Sequence, residues 1–287
     1  MFKLIISIFL VSAMLACKSI DQVKRTENLN GVDERADLIL KAANKEKLVH
    51  ILSVDHSRLA YKAQAGLDAS KVDFYSNIEI NSELISQNIL VGLDLPMRVL
   101  NYAEDDKIKT IYTDSIFLQK RHNLNKSKTL SSYSKQVSSL VKDIPNKKAV
   151  ENEQLVFNYG IIKKLSDFDF ETTISNIKRD VLEEGDTQWF LTLDYKEEAK
   201  TIGKQLPKST VLVFGAPNPG AKAMRDFPSI GLDTFPQKVL VFEDDGKVYI
   251  AYNDIVALSK LHYENSALAH RFINFRLGKV LSSAVEK

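Results

Sequence analysis

Two rhythms of apolar residues run through the chain, and each recurs. Residues 97–102 and 107–112 (MRVLNY and KIKTIY) flank Asp105-Asp106, the pattern of antiparallel strands joined by a tight turn. Residues 48–54 and 72–75 read as two further strands. A helical rhythm appears over 33–47, where Leu38, Ala42 and Ala43 share a face, and over 132–141, where Tyr133, Val137, Leu140 and Val141 do. Shorter helices are expected over 57–65 and 115–122, and residues 78–87 form a polar connection with helical potential. Later in the chain, strands are expected at 155–164, 189–193 and 211–214. The helix over 171–184 has an apolar face that includes Ile174, Ile177 and Val181. A second hairpin turns at Asp245-Gly246, where glycine accepts the positive φ of a two-residue turn. A long helix from about Ala267 is expected to turn Phe272, Ile273, Leu277, Val280 and Leu281 inward. Residues 18–30 are polar, a tether whose 20–27 part can also pair as an edge strand.

The recurrence keeps register. Gly92 and Gly231 are 139 positions apart (231 − 92), as are Asp55 and Asp194, Ala60 and Ala199, and Tyr75 and Phe214. After one extra residue near Phe235 the offset is 140 (262 − 122), which aligns Pro96 with Pro236, Asp114 with Asp254 and His122 with His262. Two copies of one unit are therefore expected, not a solenoid, whose repeats run to about 20–50 residues. They occupy residues 18–143 and 154–287. Residues 144–153 (IPNKKAVENE) form the linker, because they carry a proline and charges without apolar periodicity.

Composition refines this picture at two points. Of 287 residues, 39 are Lys or Arg and 37 are Asp or Glu, a net charge of +2 that argues against nucleic acid as a partner. The single cysteine, Cys17, follows Met-Phe-Lys and a mostly apolar stretch at 4–16, the order of a secretory signal. Residues 14–17 (MLAC) resemble the lipobox of bacterial lipoproteins. That resemblance implies cleavage before Cys17, its lipidation, and a membrane anchor facing the periplasm. By resemblance to diderm lipoprotein sorting, Lys18 in place of Asp favours the outer membrane. With no second cysteine there is no disulfide, so each copy must be held by burial.

The second copy's VLVFGAPNPG, GLDTFPQKVLVFEDDGKVYIAYND and LSKLH closely resemble the domain-of-unknown-function 302 family. The first copy resembles it through DHSRLAYKAQAGL, GLDLPMRVL and LQKRH, but has Tyr75-Ser76-Asn77-Ile78 where the glycine-proline segment stands. The resemblance implies an α+β fold of the TBP-like kind: two tandem β-α-β(4)-α units, each a curved antiparallel sheet backed by helices. It implies no activity.

Candidate chemistry is sparse. Residues 215–220 (GAPNPG) follow a strand and read either as a rigid turn shaping a cleft rim or as a ligand-contacting loop. His122 and His262 stand where short helices end and can satisfy terminal carbonyls. Asp94, Asp233, Asp114 and Asp254 read as caps of helices or turns. No close His pair points to a metal, no nucleotide motif points to a cofactor, and no catalytic constellation is identifiable. The expected function is binding of a small ligand or an envelope protein partner. Candidate contacts are Phe214, Gly215, Asn218, Gly220, Asp254, His262, His56 and His122. The two copies are expected to pack together as an intrachain pseudo-dimer. Alternatives are a small envelope enzyme, with a site between residues 215–220, Asp254 and His262 acting as acid or base, and a purely structural lipoprotein. The copies differ most at the glycine-proline segment and at His56, whose counterpart is Tyr195, and that asymmetry is where a site is expected.

Overall fold

A computed structural model describes residues 2–287, with side chains described for residues 22–287. The signal and lipidation expected at residues 1–17 therefore lie outside the described side chains. Among the described residues no helix is long and apolar enough to cross a membrane.

The first copy contains α1 (Phe2–Lys45), β1 (Val49–Asp55), α2 (His56–Lys62), β2 (Ser70–Ser76) and α3 (Ile78–Gln87). A 3-10 turn (Ile89–Leu93), β3 (Met97–Glu104), β4 (Lys107–Tyr112), α4 (Ser115–His122) and α5 (Lys128–Leu140) follow. The second contains β6 (Ile161–Leu165), α6 (Phe170–Glu183), β7 (Gln188–Asp194), α7 (Tyr195–Thr201), β8 (Ser209–Gly215) and α8 (Pro217–Met224). A 3-10 turn (Pro228–Leu232), β9 (Gln237–Asp244), β10 (Lys247–Asn253), α9 (Ile255–Tyr263) and α10 (Leu268–Val285) complete it. The fold is thus α+β, with two five-stranded sheets ordered β1-β2-β3-β4-β5 and β6-β10-β9-β8-β7, where β5 (Lys147–Ala149) belongs to the first. Even local irregularities repeat: bulges fall between His50 and Leu52 and between Trp189 and Leu191.

The elements follow from local chemistry. Asp55, Asp114, Asp169, Asp194 and Asp254 each cap a helix by accepting from a first-turn backbone N–H. Both hairpin turns have positive φ at their two central residues, Asp105-Asp106 and Asp245-Gly246.

Four expectations need correction. The edge strand at 20–27 is instead part of α1. Residues 22–28 (QVKRTEN) place one apolar residue among polar ones, most of them good helix formers, and offer no strand alternation. Its edge position is filled from the expected linker, where β5 pairs in parallel with β4 and covers an otherwise open edge. The inward stripe of α1 is Val32, Ala36, Ile39 and Ala43, while Leu38 is exposed. On α10, Ile273, Leu277 and Leu281 are buried, but Phe272 points outward.

Candidate functional site

The junction between the copies is built by exchange. The 3-10 turn of each copy packs against strands of the other copy's sheet. The glycines in these turns permit the approach. A Cβ on Gly92 would lie 3.1 Å from both Leu240 and Tyr195, and one on Gly231 would lie 2.7 Å from Met224 and 3.5 Å from His56. His56 and Tyr195, at equivalent positions, make equivalent bonds. His56 Nε2 donates to the Gly231 carbonyl at 3.2 Å, and the Tyr195 hydroxyl lies 2.8 Å from the carbonyls of Gly92 and Leu95. The shared role needs a donor, not an imidazole. One apolar core continues across the junction, with Leu93 and Leu100 joined to Leu232, Leu240 and Phe242.

Within this junction lies a buried ionic cluster. Asp94 accepts both bonds of the Arg121 Nη1 group (2.9 and 2.7 Å) and one from His122 Nε2 at 2.7 Å. Asp233 accepts from His262 Nε2 at 2.8 Å, and Ser229 Oγ lies 3.0 Å from His262 Nδ1. Arg98 Nη2 bridges the copies, 3.3 Å from Asp94 and 3.0 Å from Asp233. Arg121 also donates to Asn253 Oδ1 at 2.8 Å and to the Tyr159 carbonyl at 2.9 Å. Burial alone would raise the pKa of Asp94, but Arg121, then His122 and Arg98, hold it well below the ordinary carboxylate range. Asp233 is likewise held low against burial by His262 and Arg98. Lys238, the counterpart of Arg98, is buried without a hydrogen-bond partner, and burial pushes its pKa well down. Both carboxylates are occupied by protein donors, so the pairs they form hold the copies together.

The caps expected of Asp94 and Asp233 are therefore corrected: both side chains serve the ionic cluster. The helix-end role expected of His122 and His262 is corrected in the same way, since each ring turns to a carboxylate. Asp254 does cap α9, accepting from the N–H groups of Val256 and Ala257. Asp254 and His262 line neither of the two hollows formed with residues 215–220.

A separate crevice opens at the edge of the junction. Val54, His56, Leu59 and Leu67 of the first copy face Phe190, Gly215, Pro217, Met224 and Phe235 of the second, around about 340 Å³ of space continuous with solvent. The segment at 215–220 is not a loop. It runs from β8 into the first turn of α8, where Pro217 takes a position that needs no N–H. Pro219 lacks an N–H as well, so this helix start offers few donors to an anion. Gly215 and Gly220 leave room for aromatic rings: a Cβ on each would lie 3.2 Å from Phe190 and 3.4 Å from Phe235. Asn218 Nδ2 donates to the Ala63 carbonyl at 3.0 Å and ties α8 to the end of α2. Burial pushes the His56 pKa down to about 4, so the ring is neutral near pH 7. With Nε2 committed to Gly231, only its Nδ1 acceptor remains.

Of the expected contacts, the structure brings His56, Gly215 and Gly220 together in the crevice, with Asn218 bridging the copies nearby. Phe214 is buried behind it and lines a neighbouring hollow. His122, His262 and Asp254 lie elsewhere. Arg98, Arg121 and Lys238 escaped the sequence reading. The available signal was a cation at the same repeat position, Arg98 and Lys238, inside two otherwise apolar strands.

A family model described as "Domain of unknown function DUF302" matches residues 23–144 and 162–282. Proteins named "Fluoride-specific ion channel FluC 1" from Brucella suis biovar 1 (strain 1330) and Brucella abortus biovar 1 (strain 9-941) are each 38% identical over 74 residues. The match covers 25% of this chain and 29% and 27% of those proteins respectively, so the chain spans under a third of their length. A crystal structure of an uncharacterized conserved DUF302 protein from Bacillus stearothermophilus aligns at 15% identity with a TM-score of 0.37. It covers 44% of this chain and 95% of the other.

Proposed function

Taking as premise that the chain belongs to the DUF302 family as two tandem copies, we propose that it is a lipid-anchored cell-envelope protein whose junction crevice binds a small, mostly apolar ligand. One observation carries the reading. His56 and the glycine-proline segment are two features that the copies do not share, and they converge on one crevice although they lie far apart in the chain. Apolar walls with a single neutral histidine suit a ligand that is apolar over the part held inside. The junction itself acts as an intrachain pseudo-dimer, in which the second copy covers surfaces that a single-copy relative would bury in a homodimer. Equivalent bonds from His56 and Tyr195 support that reading.

Native mass spectrometry of the full protein purified from its own envelope tests the ligand. A retained mass, lost on denaturation, is expected, and a clean apoprotein mass would contradict the proposal. The anchor rests on the lipobox at Cys17. Intact-mass analysis of the membrane-extracted protein should show an N-terminus at Cys17 carrying acyl chains, and an unmodified Cys17 would contradict lipidation. The likeness to part of two proteins named as fluoride channels supports a second reading, a module that works beside an envelope membrane protein. Crosslinking in intact envelopes, with a membrane protein recovered in fixed ratio, is the outcome that reading expects.

A further inference from the structure

The crevice does not end at Phe235. A second hollow, open to solvent, lies across the first turn of α8, walled by Phe214, Ile273, Leu277 and Val280. The two hollows share Ala216, Gly220 and Phe235. Gly220 lies against the Phe235 ring with no side chain between them. A turn of that ring would join the hollows. On its outer side the second hollow shares Glu184, Arg276 and Val280 with a shallow depression that carries Phe272 and Phe275. These two rings are 65% and 72% exposed, and Leu268, one turn earlier on α10, is 80% exposed. Large apolar side chains this open seldom cluster without a partner.

We propose that these three depressions form one track for a single unbranched acyl chain, with its inner end at His56 and its mouth at Phe272 and Phe275. The inference rests on the crevice being a ligand site and specifies the class of ligand. Three features favour a chain over a compact ring. The depressions follow one another in series, and one aromatic side chain, Phe235, separates the first two. The inner walls are apolar. Charged groups gather only toward the mouth, where Arg276 pairs with Glu184 and Asp186 and where Lys279, Asp180 and Glu183 lie. An acyl chain can therefore lie inside with its polar head at the surface, whether it belongs to a free fatty acid or to a phospholipid.

The molecule carries its own reporter. Trp189 is the single tryptophan and stacks on Phe214, a wall of the second hollow, with ring centroids 5.8 Å apart. Titration of the full-length protein with 9,10-dibromostearic acid, kept below its micelle concentration, should quench Trp189 saturably, because bromine in the second hollow would lie just across the Phe214 ring from it. Recovery on adding palmitate but not a palmitoyl lysophospholipid would identify a free-acid site. Recovery with both would identify a site that also accepts a lipid chain. Gly220→Leu, which fills the passage beside Phe235, should weaken quenching at least about tenfold. In case that variant does not fold, the surface double variant Phe272→Ser/Phe275→Ser provides a second test, expected to weaken it about threefold. Unchanged quenching in a folded variant of either kind would overturn the track. Saturable quenching by bromobenzene without any by dibromostearate would leave the crevice standing and reject the acyl chain. No quenching by either would reject both.

Discussion

Asp94, Asp233, Arg98 and Arg121 are all removed from water, and their value lies in being paired. Desolvating such charges costs more than an exposed pair returns, so removing one partner is far more damaging than removing both. Asp233→Ala should lower stability by about 3–5 kcal/mol in urea unfolding, because His262 would stay buried without its carboxylate and Arg98 would keep only Asp94 of its two acceptors. Lys238→Met should do the opposite, raising stability by on the order of 1 kcal/mol, because the amine has no partner to lose. His56 gives a pH signature. Its folded pKa of about 4 lies below the ordinary value of 6.5. The fold binds it neutral, so its contribution is complete above pH 6.5 and is lost as pH falls toward 4. The drop is about 3 kcal/mol for that separation. His56→Gln should flatten this part of a stability–pH profile, leaving the acid dependence of His122 and His270, which burial shifts in the same direction. A profile unchanged by the substitution would mean that His56 is not buried as described.

At the scale of elements, the two 3-10 turns decide how closely the copies approach. A Cβ on Gly231 would meet Leu100 at 3.4 Å and His56 at 3.5 Å across the junction and Met224 Cε of its own copy at 2.7 Å, with all three buried. Gly231→Ala should therefore cost about 1–3 kcal/mol. Gly66→Ala, where nothing lies within 4 Å, serves as the control and should change little. Most elements were legible in the sequence because they depend on neighbours in the chain. Asp114 and Asp254 cap the helices that follow them, and Asp245-Gly246 turns its hairpin. What failed depended on residues distant in sequence. The apolar residues of α10 fit more than one stripe, and only packing against α6 decides that Ile273 turns inward and Phe272 outward. The segment at 20–27, expected as a tether or edge strand, is rich in helix formers and continues α1.

At the scale of the whole molecule, the repeat register foretold two copies of one unit, and its breaks foretold where they differ. It could not place the copies relative to one another. The contacts that do so, Arg98 with Asp233 and Tyr195 with Gly92, join residues more than 100 positions apart. For the same reason a site made of His56 and Gly215 appeared in the sequence only as two unrelated asymmetries. The central claim is that the copies form one cooperative body around a shared polar and apolar core, with the crevice as a product of that union. Differential scanning calorimetry of the full-length protein tests it most directly. The account predicts a single transition whose calorimetric and van't Hoff enthalpies agree, and which Asp233→Ala shifts downward as a whole. Two separable transitions, with only the second copy's moved by Asp233→Ala, would contradict it.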